Sequence, residues 1–200
     1  MPVTIAPPAA PAPRPEPPRT TRLIDVREMV AAALVAALLM AVSGLALPIG
    51  VVPVTLQVFV VVLAALLLSP RSAAISIGVY LLAGAVGLPV FSGMKAGLGV
   101  LLGPTGGYLW GFIAGAVAGS VLRVTLEGAG RRGVFADSAA AFMVVATVYF
   151  AGWVQLQAVA HLAPGTALAA GVLPFVAIDA AKGAAAVAVA AGVRRARSLR

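Results

Sequence analysis

The sequence has no cysteine, which excludes disulfides, thiol nucleophiles and thiolate metal sites. Histidine occurs once, at His161, so a histidine-built metal centre is not expected either. Charge is scarce: 10% of residues are Asp, Glu, Lys or Arg, against roughly 25% in soluble domains. A chain that is 62% hydrophobic, with a mean hydropathy of +1.07, has too little polar surface to cover a water-exposed globule. There is no Ser/His/Asp set and no carboxylate pair placed for hydrolysis. The one phosphate-loop-like string, GPTGGY at Gly103–Tyr108, lacks the terminal Gly-Lys-Ser/Thr. An enzyme and an ATPase are therefore not expected. The net charge of +8 does not point to nucleic acid, because the basic residues sit singly or in short groups at the ends of hydrophobic runs.

What the chain does have is long apolar runs, the pattern of an all-α integral membrane protein in a lipid bilayer. Residues 1–22 hold eight prolines and three arginines and read as an extended cytoplasmic tail. Residues 23–200 read as one transmembrane domain of six spans: Met29–Leu47, Val54–Leu68, Ala73–Val90, Gly107–Val124, Ser138–Leu162 and Leu168–Val193. The second is short for a hydrocarbon layer of about 30 Å, so it is expected to be tilted, broken or recessed inside the bundle. Six spans put both termini and the loops after spans two and four on one side. That side carries twelve Arg (14, 19, 22, 27, 71, 123, 131, 132, 194, 195, 197 and 200), against Lys95 alone on the other. Positive charge stays cytoplasmic, which predicts both termini inside.

Two stripes of small residues stand out. Gly107, Gly111, Gly115 and Gly119 recur every four residues, as do Ala33, Ala37 and Ala41 with Ala32 and Ala36 beside them. In lipid such ridges let backbones approach closely. Each reads either as internal packing or, more so for the alanines, as the docking face for a separate membrane subunit.

Asp179 and Lys182 are the two ionisable residues the pattern places deep in a span. Three residues apart, they share a helix face. A charge near the bilayer centre costs about 2.5–3.5 kcal/mol on insertion scales, so the pair is expected to face protein or a polar cavity. It reads as a self-satisfied ion pair or, the reading preferred here, as a ligand site in which Asp accepts from an N–H donor and Lys pairs with a carboxylate. Thr55 and Gln57 open the second span. The string FSGMKAGLGVLLGPTGGY, Phe91–Tyr108, forms a glycine-rich loop that can fold over a ligand. Gln155 and Gln157 read as cavity-lining or as interhelical hydrogen bonders. Tyr108, Trp110, Tyr149 and Trp153 read as ring-stacking groups or interface anchors, and His161 as interfacial.

The strings VPVTLQVF (Val52–Phe59), GVYLLAGAVGLPVFSG (Gly78–Gly93), GLGVLLGPTGGYLWGF (Gly97–Phe112) and AAGVLPFVAIDAAKGA (Ala169–Ala184) resemble BioY, the biotin family of substrate-binding (S) subunits of energy-coupling-factor vitamin transporters. The resemblance spans most of the hydrophobic core. It implies a six-helix, S-component-like bundle in a bacterial cell membrane, binding one biotin near the extracellular face. It also implies partnership with a transmembrane coupling subunit, docked on Ala32, Ala33, Ala36 and Ala37, and with cytoplasmic ATPases. Biotin is then the cargo, and no cofactor or metal is implied. The site set is Asp179, Lys182, Gln57, Thr55, Tyr108 and Phe91, with Gly103 and Gly106 in the covering loop. Lys95 stands where a small residue is commoner in the family. The competing expectations are an S-component for another vitamin and a self-sufficient, proton-driven transporter with Asp179 as relay.

Overall fold

The computed structural model describes residues 26–48 and 52–198. The proline-rich tail, with Arg14, Arg19 and Arg22, and the terminal Arg200 lie outside the described residues. Eight α-helices follow in order: α1 (Val26–Ser43), α2 (Gln57–Leu67), α3 (Pro70–Ala85), α4 (Leu98–Leu102), α5 (Gly106–Gly128), α6 (Val134–Ala160), α7 (Pro164–Gly171) and α8 (Val176–Ser198). A 3-10 turn at Leu173–Phe175 joins the last two. Two antiparallel strands of two residues, β1 (Ala46–Leu47) and β2 (Val54–Thr55), sit between α1 and α2, with Ala46 opposite Thr55.

Among the described residues, four helical stretches are long and apolar enough to cross a membrane: Val26–Ser43, Gly106–Gly128, Val134–Ala160 and Pro164–Ala196. Helix α2 is shorter, and nearly every side chain along it is buried. It is the recessed helix at the centre of the bundle, packed against α5, α6 and α8. The expected span Leu168–Val193 is in fact divided. Pro174 lacks an N–H, and the chain leaves α7, turns through Leu173–Phe175 and starts α8 only at Val176. The loop Phe91–Tyr108 holds the short helix α4, a piece too short for hydrophobic periodicity to announce.

The glycine stripe of α5 is internal. A Cβ at Gly111 would lie 2.8 Å from Val148 Cα, and one at Gly115 3.0 Å from the Val144 carbonyl. These glycines let α5 lie directly on the α6 backbone, where van der Waals packing replaces the hydrophobic drive that lipid removes. The alanine stripe of α1 divides. Ala32 and Ala36 are buried, and the carbonyl of Ala32 accepts a hydrogen bond from Ser76 of α3 at 2.8 Å. Ala33, Ala37 and Ala41 are exposed. The inner two therefore serve packing within the chain, and a partner can meet only the outer row.

Helix starts and ends are fixed by local chemistry. Ser69 caps α3, its Oγ accepting from the Ser72 N–H at 3.3 Å, with Pro70 in the first turn. Glu28 of α1 accepts from the Ser69 N–H at 3.0 Å, tying α1 to the α2–α3 turn. His161 closes α6 in the left-handed conformation, φ 52°, and is exposed. Arg27, Arg71, Arg123, Arg131, Arg132, Arg194 and Arg195 all fall at one end of the bundle, by their positions in the helices and turns.

Candidate functional site

At the opposite end, a cavity opens among α2, α5, α6, the start of α8 and the Phe91–Thr105 segment. Asp179 and Lys182 enter it from the first turns of α8. The i, i+3 spacing puts them on one face, and Lys182 Nζ donates to Asp179 Oδ1 at 2.7 Å. The second carboxylate oxygen accepts from Tyr149 of α6, also at 2.7 Å. Asp179 is 4% exposed, so this carboxylate is held from two helices and sealed from bulk water. Each oxygen keeps a free lone-pair site, and the Lys182 ammonium keeps two N–H groups after its bond to Asp179. The pair is neutral overall. It suits a neutral polar group that offers N–H donors beside an acceptor oxygen.

Across the cavity, the β2 strand and the first residue of α2 build a second polar edge. Thr55 Oγ1 donates to Gln57 Oε1 at 3.0 Å and accepts from the Gln57 backbone N–H at 3.3 Å. Gln57 Nε2 donates to Tyr80 of α3 at 2.5 Å. Tyr80 is fully buried, and its ring meets Phe91 edge-on at 5.6 Å. The Phe91 ring lies over Gly84, where any Cβ would strike it. Phe91 and Lys95 pair across a tight turn through both backbone N–H groups, at 2.9 and 3.2 Å. Tyr108 projects from α5, its hydroxyl donating to the Gly171 carbonyl at 2.7 Å, with its ring over Gly152. Valine, leucine and phenylalanine side chains form most of the rest of the wall, with Pro53, Ser92 and Thr105 set among them. Apolar walls with a few fixed polar groups are the ordinary make-up of a small-molecule site.

The structure thus brings Asp179, Lys182, Gln57, Thr55, Tyr108 and Phe91 to one cavity, with Lys95 on its exposed rim. Gly103 and Gly106 do not line it; they bracket the turn between α4 and α5, Gly103 following α4 and Gly106 opening α5. Sequence reading missed Tyr149 as the second donor to Asp179. The two residues lie thirty apart on different helices, so no local spacing joins them. Among the described residues no group of three or more His, Asp or Glu side chains is placed to hold a metal.

A second buried carboxylate lies at the basic end. Asp137 of α6 is 1% exposed, accepts from Arg123 Nε of α5 at 3.1 Å and pairs with Arg194 of α8. Arg123 also holds Glu127 at 2.8 Å. Sequence reading assigned these arginines to orientation alone and did not expect a buried carboxylate among them.

An apolar-walled cavity with one neutral Asp–Lys pair, set in a bundle of apolar helices, defines a multi-pass membrane protein with a small-molecule site. Residues 17–199 match the family model described as the BioY family. The chain is 37% identical over 167 residues to a protein of Pyrococcus horikoshii named "Probable biotin transporter BioY", covering 84% of this chain and 96% of the relative. It is 44% identical over 85 residues to the "Biotin transporter BioY" of Thermotoga maritima, covering 42% of this chain and 50% of the relative. The crystal structure of the S-component for biotin from an ECF-type ABC transporter superposes with a TM-score of 0.79 at 26% identity, covering 85% of this chain and 92% of the other. The chain belongs to the BioY family. These relatives are named as transporters, not as enzymes.

Proposed function

We propose that this chain is the biotin-capturing subunit of a vitamin uptake system in the cell membrane. The observation that carries the reading is the Asp179–Lys182 pair, held by Tyr149 and facing an apolar-walled cavity. Biotin presents a ureido group with two N–H donors and a carbonyl, an apolar sulfur-containing bicycle and a carboxylated tail. Asp179 accepts from the ureido nitrogens and Lys182 donates to the ureido oxygen, so the neutral pair meets a neutral head. Phe91, Tyr108 and the aliphatic wall enclose the bicycle. Gln57 and Thr55 supply the second polar edge, and the tail points to the mouth, where Lys95 stands. Gly103 and Gly106 act only through the turn that carries the covering loop.

Six spans, with both termini cytoplasmic, follow if α3 crosses beside the recessed α2. The gathering of arginine at the end remote from the cavity supports that orientation. The cavity then opens on the extracellular side. The exposed Ala33, Ala37 and Ala41 form a smooth face on α1 suited to a transmembrane coupling subunit, which links the chain to cytoplasmic ATPases.

Equilibrium binding of labelled biotin to the purified chain, with a panel of other vitamins as competitors, tests the ligand. The expected result is stoichiometric binding displaced by biotin alone. Displacement by a different vitamin would replace the cargo. In vesicles, uptake that needs the ATPases and resists a protonophore is expected; uptake by the chain alone that collapses with the protonophore would favour a proton-driven carrier.

A further inference from the structure

Helix α4 is five residues long, and none of its last carbonyls has a partner within so short a helix. The Gly106 N–H donates to the Gly103 carbonyl at 3.0 Å, and side chains from other helices supply the remaining donors. Gln155 of α6 places both hydrogens of its amide on this segment, donating to the Leu101 carbonyl at 2.9 Å and the Gly103 carbonyl at 2.8 Å. Trp110 of α5 adds a third donor, its indole N–H reaching the Leu101 carbonyl at 3.2 Å. The α5 start is cut away to make room. A Cβ at Gly106 would strike the Leu101 carbonyl first and lie 2.6 Å from Gln155 Nε2; one at Gly107 would lie 2.3 Å from the Ala151 carbonyl oxygen and 2.7 Å from Gln155 Cβ. The anchored segment carries Phe91, Ser92, Lys95, Val100 and Thr105 on the cavity wall. Its far end, the turn around Met94, is exposed.

We infer that Gln155 is a positioning residue for the ligand site: it pins the inner end of the Phe91–Thr105 covering segment to α6 and thereby sets how long a bound ligand stays. The inference rests on the proposed ligand site, but Gln155 itself touches no ligand. Its two donors act on backbone carbonyls, so the effect travels through the wall that those carbonyls hold in place.

Gln155→Met keeps the side-chain length and removes both donors. Biotin dissociation from the purified full chain is measured by chase with unlabelled biotin, beside hydrogen exchange of residues 91–108 without ligand. The expected result is dissociation roughly tenfold faster, the scale of two lost hydrogen bonds, with faster exchange in 91–108 and unchanged exchange in α2 and α8. Trp110→Phe, which removes a single donor, should shift both readouts the same way by a smaller factor and covers the case in which the Met variant does not fold. A purely structural role would lower the binding-competent fraction or the unfolding temperature and leave dissociation from the competent fraction as in the native chain. That result, or unchanged exchange in 91–108, overturns the inference. Absence of biotin binding by the native chain would instead overturn the reading of the cavity itself.

Discussion

Asp137 and Asp179 are both nearly sealed from solvent, and both have each carboxylate oxygen engaged, yet their surroundings differ in kind. Asp137 is ringed by protein: Arg123 from α5 and Arg194 from α8 close on it, and Arg194 also reaches the Leu66 carbonyl at the end of α2. Asp179 has one cation and one hydroxyl, and its remaining face is open to a cavity. Along α8, Asp179 and Arg194 are fifteen residues apart, about 22 Å at 1.5 Å per residue. One helix thus joins a closed ionic lock to an open ionic site. A buried charge whose partners are all protein stabilises a particular packing; one left partly free beside a void is arranged for something that comes and goes.

Removing each carboxylate in turn should cost the chain different things. Asp137→Ala leaves Arg123 and Arg194 without their shared partner, and the chain should lose about 3–5 kcal/mol of stability, with the ligand affinity of the folded fraction kept. Unfolding in detergent by heat or denaturant reads this directly. Asp179→Asn should do the reverse. Biotin affinity should fall by about 2–5 kcal/mol, well over tenfold, because Lys182 is left buried without its counter-charge. Tyr149→Phe removes one hydroxyl from Asp179 and should weaken binding by about 1 kcal/mol, roughly fivefold, in the same titration. Glu28→Gln, at the α1 tie to Ser69, should cost under about 1 kcal/mol of stability and leave ligand binding untouched. A ranking in which Asp137→Ala harmed affinity more than Asp179→Asn would erase the distinction between lock and site.

Much of this was legible before the structure, for identifiable reasons. Long apolar runs read as helices because bilayer thickness sets their length. The pair at 179 and 182 could be read because helical spacing joins residues three apart. The glycine ridge of α5 could be read as close packing, though not which helix it meets. What was illegible depends on distant partners. Asp137 drew no reading from the sequence, since its cations lie 14 and 57 positions away. Tyr149 looked like an anchor until α6 brought it against α8. Ala32 and Ala36 could not be separated from Ala33 and Ala37 by spacing, because the face each pair shows depends on where α3 lies. Gly103 and Gly106 were assigned to ligand on the strength of their loop, whereas the close approach at Gly106 is to the Leu101 backbone and Gln155.

The central claim is that the Asp179 end of α8 is a biotin site and the Asp137 end is not. Parallel titration of labelled biotin into purified native chain, Asp179→Asn and Asp137→Asn, each normalised to folded protein, tests it most directly. The account predicts tight binding by the native chain, retained by Asp137→Asn and lost by at least tenfold in Asp179→Asn. Equal affinity for the native chain and Asp179→Asn would contradict it, and would make the Asp179–Lys182 pair a second structural lock.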